Sequence, residues 1–158
     1  VDYAHTPDAL EKVLCTLGEI LRATHKNKIV NQSSARLHCV VGCGGDRDKG
    51  KRAMVGEVAM RLADAVIFTS DNPRTEDPLS IIKDITAGAG ANSYQIEIDR
   101  ALAIYQAIDN AQSGDIVLIA GKGHEEFQEI KGRKIPFKDA EIVQQVLQDL
   151  AMKVRAQE

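Results

Sequence analysis

The sequence lacks the features that would tie it to a membrane, to secretion or to a nucleic acid. No apolar run approaches the roughly 20 residues of a membrane-spanning helix, and there is no signal-peptide pattern. The formal net charge is only -3, which gives no global attraction to nucleic acid or to anionic membrane surfaces. These absences predict a cytoplasmic protein that binds neither membrane nor nucleic acid.

Cysteine is also scarce. The three cysteines, Cys15, Cys39 and Cys43, are odd in number and form no disulfide framework, which favours reduced thiols. Cys39 and Cys43 stand four positions apart, but no second pair of ligands follows them. The sequence therefore predicts no metal site.

What remains is the composition of one globular domain. The chain has 158 residues, of which 44% are hydrophobic and 27% charged, both ordinary proportions. It begins without an initiator Met, and the opening VDYAHTP is typical of a strand end that runs into a helix cap. We therefore expect a single domain over residues 1–158 that is a fragment of a longer protein.

Apolar patterning predicts helices that alternate with strands. Strands are predicted at 37–41, 65–69, 94–98 and 116–120, and a hairpin at 127–137. Helices are predicted at 7–25, at 49–62, from Pro78 to the glycines at 88–90, around 101–108 and from Asp139 onward, with a polar loop at 26–35. Apolar strands between helices indicate an α/β fold, a mostly parallel sheet with helices on both faces. The hairpin could add antiparallel pairing at an edge.

Three polar loops follow the three strongest strands: GCGGDRDKGKR (42–52), SDNPRTEDP (70–78) and GKGHEE (121–126). In a parallel sheet these loops share one edge, where ligands bind. The charged and amide side chains brought to this rim would be Arg47, Asp71, Asn72, Arg74, Lys122, His124, Glu125 and Glu126. Guanidinium groups bind carboxylates and acidic groups accept from ammonium, so the rim suits a zwitterionic ligand. The alternative is that these are ordinary solvated loops.

The first loop resembles two phosphate-binding motifs without completing either. Gly45 and Gly50-Lys51 match G-x-x-x-x-G-K, but Arg52 stands where a P-loop has the Ser or Thr that binds magnesium. Gly42-x-Gly44 begins a dinucleotide fingerprint, but Arg47 stands at its third glycine. The glycines could allow close approach to a ligand, or serve only a strand exit that needs positive φ.

Four segments, in the order DYAHTPDALEKVL, GCGGDRDKGKR, TSDNPRTEDP and AGKGHEEFQ, resemble the C-terminal domain of the Mur ligases. The resemblance runs from Asp2 to about Leu147, and DNPR resembles the signature of the diaminopimelate-adding branch. It implies a Rossmann-like domain that binds the incoming amino acid. The complete three-domain ligase would use ATP and Mg²⁺, bound mainly by a central domain that this chain lacks.

The resemblance also implies partners and roles. The substrates would be meso-diaminopimelate, ATP and UDP-N-acetylmuramoyl-L-alanyl-D-glutamate, joined through an acyl phosphate in peptidoglycan synthesis. The central and N-terminal domains of the same protein would be its partners. Carried over by motif, Arg47 and Arg74 would hold carboxylates with help from Asn72, and Pro73 would set the turn between Asn72 and Arg74. An amine would be held by Glu125, Asp71 and the Gly121 carbonyl. Asp2 and His5 would lie on the nucleotide side. No catalytic residue is predicted, and the chain alone is expected to be inactive.

Two other hypotheses stay open at this point. One is a free-standing nucleotide-binding module that uses the 42–52 loop, although Arg52 argues against a working P-loop. The other is a purely structural interaction domain, which would bind no small molecule.

Overall fold

The computed structural model describes residues 1–25 and 35–156, and within these ranges helices and strands alternate as predicted. The helices are α1 (Pro7–His25), α2 (Gly50–Leu62), α3 (Pro78–Thr86), α4 (Arg100–Asp109) and α5 (Asp139–Arg155). The strands are β1 (Leu37–Val41), β2 (Ala65–Phe68), β3 (Gln95–Ile96), β4 (Ile116–Ile119), β5 (Phe127–Ile130) and β6 (Arg133–Pro136). The predicted loop at 26–35 falls mostly outside the described residues.

The main sheet is parallel, with strand order β3-β2-β1-β4. β1 pairs with both β2 and β4, so the three strongest predicted strands are neighbours. β3 pairs with β2 at the outer edge. Because all four strands point the same way, the loops after β1, β2 and β4 emerge at one edge of the sheet, as expected.

Helices cover both faces of this sheet, which confirms the predicted α/β class. On one face, buried residues of α1, α2 and α3 pack against alternate strand residues such as Cys39 and Phe68. On the other face, α4 packs against the intervening residues Val40, Ile67 and Ile119, with Ile142 of α5 beside them. β1, β2 and β4 are therefore covered by helices on both sides, and this explains their continuous apolar sequences.

Capping residues fix where the helices begin. The Thr6 hydroxyl accepts from the Ala9 N–H at 3.2 Å, as predicted for the start of α1. Asp77 caps α3 by accepting from the Ser80 N–H. Asp99 caps α4 by accepting from the N–H groups of Ala101 and Leu102. Since the 70–78 loop ends in the Asp77 cap, the start of α3 holds that loop in place.

The hairpin differs from the expected edge position. β5 and β6 form their own two-stranded antiparallel sheet. The hairpin instead contacts the loop after β2, where Arg74 donates its N–H to the Glu129 carbonyl at 2.9 Å and accepts from the Lys131 N–H. Pairing with this loop takes the backbone groups that a sheet edge would have used.

Two further findings concern the chain as a whole. Among the described residues, no helix is both long enough and apolar enough to cross a membrane. Cys15, Cys39 and Cys43 are free thiols.

Candidate functional site

A cavity of about 380 Å³ opens at the carboxyl edge of the sheet, between the loops that follow β1, β2 and β4. Most of the predicted site residues line it: His5, Arg47, Asp71, Asn72, Arg74, Gly121 and Glu125. Pro73 and Asp2 are not among its lining residues. The parallel sheet thus brings together side chains from three separate segments of the sequence.

The loops after β1 and β2 are joined through Gly45. Its N–H donates to the Asn72 carbonyl at 2.8 Å, and its own carbonyl accepts from Arg74 Nη1 at 2.6 Å. A Cβ on Gly45 would collide with the Pro73 carbonyl. Glycine is therefore required at this position because the two backbones approach closely. Pro73 packs against Gly45 and does not itself line the cavity.

Arg74 is held in an unusual backbone conformation. Its φ is +53°, in the left-handed region that few residues other than glycine adopt. Backbone bonds to the hairpin hold it there, and its Nε lies 3.3 Å from the Glu129 carboxylate. Nη1 bonds Gly45, while the described residues offer Nη2 no partner. The half-buried guanidinium thus keeps donors for a ligand.

Asp71, Asn72 and Glu125 form one bonded group around Lys122. Lys122 Nζ lies 3.3 Å from Asp71 Oδ1, 3.0 Å from Asn72 Oδ1 and 3.0 Å from Glu125 Oε2. Asn72 Nδ2 donates to the same Glu125 oxygen at 2.8 Å, and Asn72 Oδ1 also accepts from the Glu129 N–H. The Asn72 side chain therefore lines the cavity and also links Lys122, Glu125 and the hairpin by hydrogen bonds.

Glu125 is ionised in this setting. Burial by itself would raise the pKa of its carboxyl, but the hydrogen bonds from Lys122 and Asn72 and the charges of Lys122 and Arg74 leave that pKa below its ordinary value. The carboxylate is partly exposed to the cavity. It can accept a hydrogen bond from a cationic group of a ligand.

Arg47 lies on the other side of the cavity, on the loop after β1. It is exposed, and no described residue accepts a hydrogen bond from its guanidinium. Arg47 and Arg74 therefore present two guanidinium groups to the same space.

The first residues of the chain extend the edge of β4. The Asp2 N–H donates to the Ile119 carbonyl at 2.9 Å, and the Asp2 carbonyl accepts from the Gly121 N–H at 3.1 Å. The Asp2 carboxylate accepts from the Ala4 N–H, so it serves the local turn. His5, beside Tyr3 at a ring-centroid distance of 4.6 Å, reaches the cavity.

Sequence reasoning gave no role to three residues that shape the site. The sequence predicts Lys122 at the rim, but nothing in its sequence context indicates that it is fully buried. Glu129 lies in a short strand whose contact with Arg74 depends on where the hairpin folds. In sequence Arg52 is only a departure from a P-loop, yet it is buried in ion pairs with Glu76 and Asp84.

The chemistry of the cavity lining comes from its charged side chains. In the part of the chain that the structure describes, no group of three or more His, Cys, Asp and Glu side chains could hold a metal ion. Cys43 lines the cavity, but burial raises the pKa of its thiol to about 12, so it is not a nucleophile at neutral pH. The cavity offers guanidinium donors and carboxylate acceptors, which suit a ligand that carries both signs of charge.

Comparison with known proteins shows which family the chain belongs to. The family described as "Mur ligase, glutamate ligase domain" matches residues 1–123. The chain belongs to the Mur ligase family.

Similar curated proteins are named UDP-N-acetylmuramoyl-L-alanyl-D-glutamate–2,6-diaminopimelate ligase. The one from Nitrosomonas europaea is 58% identical over 151 residues, covering 96% of this chain and 29% of the relative. The one from Bacillus velezensis is 48% identical, covering 97% of this chain and 29% of the relative. The chain thus spans less than a third of the length of these relatives.

Solved structures support the same fold. A structure of a ligase with that same name matches with a TM-score of 0.79 at 44% identity, over 94% of this chain and 28% of that one. A bifunctional folylpolyglutamate synthase/dihydrofolate synthase from Yersinia pestis matches with a TM-score of 0.55 at 20% identity, over 77% of this chain and 25% of that one. The second likeness supports the fold alone.

Proposed function

We propose that this domain binds meso-diaminopimelate in a ligase that joins it to UDP-N-acetylmuramoyl-L-alanyl-D-glutamate. The observation that carries the proposal is the cavity between three loops, with Arg47 and Arg74 as cationic donors and Asp71 and Glu125 as anionic acceptors. The names of the similar proteins support the choice of substrate. The reaction would take place in the cytoplasm, in keeping with the free thiols.

The ligand chemistry matches these groups. Meso-diaminopimelate has a carboxylate and an amine at each end, and guanidinium recognises carboxylate through paired hydrogen bonds. Arg74 and Arg47 would hold the carboxylates, with Asn72 nearby. Glu125, Asp71 and the Gly121 carbonyl would hold the amine that does not react. The other amine would then be directed out of the cavity toward the activated carboxyl group.

Activation of that carboxyl group belongs to the rest of the ligase. ATP with Mg²⁺, bound mainly by a central domain, would convert the carboxylate into an acyl phosphate in the complete enzyme. This domain's contribution is to orient the amine, which raises the rate by proximity. His5, at the side of the cavity near the chain start, would face the nucleotide.

The loop after β1 is poorly suited to the alternative of nucleotide binding. A P-loop cradles phosphate with free backbone N–H groups. Here the N–H of Gly45 bonds Asn72, that of Asp46 bonds Glu76 and that of Gly50 bonds Asp48. The Glu76 carboxylate would also repel a phosphate placed against this loop.

Amino-acid-dependent turnover of the complete ligase tests the proposal. With UDP-N-acetylmuramoyl-L-alanyl-D-glutamate and ATP present, ADP formation should require meso-diaminopimelate and should be much slower with lysine. Equal rates with the two amino acids, or turnover that needs neither, would contradict it. Calorimetry of this chain with Mg-ATP tests the nucleotide-binding alternative, for which tight binding is required.

A further inference from the structure

We propose that Lys122 is a positioning residue that aims Asp71 and Glu125 at a single ammonium group of the ligand. This inference rests on the proposed function and deepens it. Lys122 follows Gly121 in the loop after β4, and its side chain is fully buried. A buried lysine that the ligand does not touch has to act through its neighbours.

All of the donors of Lys122 are in use. An ammonium group has three N–H donors. The three contacts, to Asp71 Oδ1, Asn72 Oδ1 and Glu125 Oε2, account for them. Lys122 therefore has no N–H left to donate to a ligand carboxylate. Arg47 and Arg74, in contrast, each keep N–H donors that face the cavity.

The contacts leave one oxygen of each carboxylate for the ligand. Glu125 Oε2 accepts from both Lys122 and Asn72, whereas no described residue donates to Oε1. Asp71 uses Oδ1 for Lys122, and its Oδ2 lies 3.6 Å from the point where a Cβ on Gly121 would stand. The free oxygen of Asp71 thus lies beside the bare edge of Gly121, and the free oxygen of Glu125 belongs to a carboxylate that is held by the same Lys122 Nζ.

The net charge of Asp71, Glu125 and Lys122 favours the binding of one ligand ammonium group. Asp71 and Glu125 contribute two negative charges and Lys122 one positive charge, so the group carries a net charge of about -1 when both carboxyls are ionised. One ligand ammonium would neutralise it. Without Lys122 the two carboxylates would lose the one cation that is hydrogen-bonded to both of them, a costly change in a partly buried site.

The inference predicts how discrimination between two amino acids depends on Lys122. The ligands to compare are meso-diaminopimelate and 2-aminopimelate, which keeps both carboxylates but lacks one amine. In the complete ligase, Lys122→Met should raise the KM for meso-diaminopimelate about 10- to 100-fold, because the carboxylates lose a charged hydrogen-bond partner. The KM for 2-aminopimelate should rise much less, and kcat should change little. Lys122→Arg, which keeps the charge, should recover part of the loss.

A double variant separates positioning from a general loss of structure. If Lys122 acts through Asp71 and Glu125, then Lys122→Met made on the Glu125→Gln background should raise KM by a clearly smaller factor than it does in the wild type, because only the contact with Asp71 remains to be lost. Lys83→Met, at an exposed position on α3, is the matched control and should leave both KM values unchanged. Thermal unfolding of each variant shows whether it is folded.

Two results would overturn the inference. One is that Lys122→Met raises the KM for both amino acids by the same factor. The other is that its effect adds fully to that of Glu125→Gln. A wild-type ligase that does not use meso-diaminopimelate would instead contradict the proposed function.

Discussion

Arg52 donates two parallel hydrogen bonds to the Glu76 carboxylate. Nη2 donates to Oε1 at 2.7 Å and Nη1 to Oε2 at 2.9 Å, and Nη1 also lies 2.9 Å from Asp84 Oδ2. The Arg52 side chain is only 1% exposed. Glu76 Oε1 in turn accepts from the Asp46 N–H, next to Arg47. The pair therefore fixes the loop that carries Arg47 against the loop that carries Arg74.

Replacing Arg52 by serine completes the P-loop motif in sequence but should not create a nucleotide site. Arg52→Ser would leave the Glu76 carboxylate without its guanidinium partner, so we expect a clear loss of unfolding free energy. Urea unfolding measures this loss, and calorimetry should detect no gain in Mg-ATP affinity. Arg61→Ser is the control on the same helix, since its pair with Glu11 is exposed and should contribute much less. A gain in ATP binding would contradict this account.

The same pair should make stability depend on acid pH. The hydrogen bonds from Arg52, followed by the bond from the Asp46 N–H, lower the pKa of Glu76 from 4.5 to about 2. In that interval the unfolded chain binds a proton that the folded chain does not, so this stabilisation is complete above pH 4.5 and is lost as the pH falls toward 2. Unfolding free energy measured across this range should therefore fall more steeply for wild type than for Glu76→Gln. Parallel curves would show that Glu76 is not protonated on unfolding.

The sequence was enough to predict the sheet and its ligand-binding edge. Strands 37–41, 65–69 and 116–120 are buried on both faces, so each reads as an unbroken apolar run. Right-handed crossovers through helices then leave one arrangement for the polar loops that follow them.

Long-range contacts could not be predicted in the same way. The burial of Lys122 depends on acceptors about fifty residues earlier in the chain, at Asp71 and Asn72. The positive φ of Arg74 depends on the hairpin, whose backbone bonds to that loop carry no sequence pattern. Such features arise from tertiary packing, and periodicity reports only local structure.

Asp139 supports the site from the start of α5, and its loss should be costly. Both Asp139 oxygens accept from Arg100, at 2.8 and 2.7 Å, and both side chains are fully buried. Arg100 also donates to the Ala120 carbonyl, beside Gly121. Asp139→Asn should lower the unfolding free energy by about 3 to 5 kcal/mol, measured by urea unfolding. Asp8→Asn, in an exposed pair with Lys12, should cost less than about 0.5 kcal/mol.

The chain by itself should not activate a carboxylate. Arg52 stands where a P-loop has its magnesium-binding hydroxyl, and three backbone N–H groups of the loop after β1, those of Gly45, Asp46 and Gly50, are already bonded within the protein. Purified chain mixed with ATP, UDP-N-acetylmuramoyl-L-alanyl-D-glutamate and meso-diaminopimelate should therefore form ADP only at the background rate. Turnover above that rate would show that the domain carries a nucleotide site of its own.

Arg74 should decide between meso-diaminopimelate and lysine. The two amino acids share a chain and an ammonium group, but only meso-diaminopimelate has a second carboxylate for the free Nη2 of Arg74. Lysine would leave that half-buried donor facing an empty position, which is how a site built around a hydrogen bond rejects an analogue. In the complete ligase, Arg74→Ala should cost meso-diaminopimelate about 2 to 4 kcal/mol in kcat/KM, and lysine far less. The ratio of kcat/KM for the two amino acids should thus fall about 30- to 1000-fold. Arg133→Ala, at an exposed position on β6, is the control and should leave this ratio unchanged. If Arg74→Ala also left the ratio unchanged, selectivity would lie elsewhere on the rim.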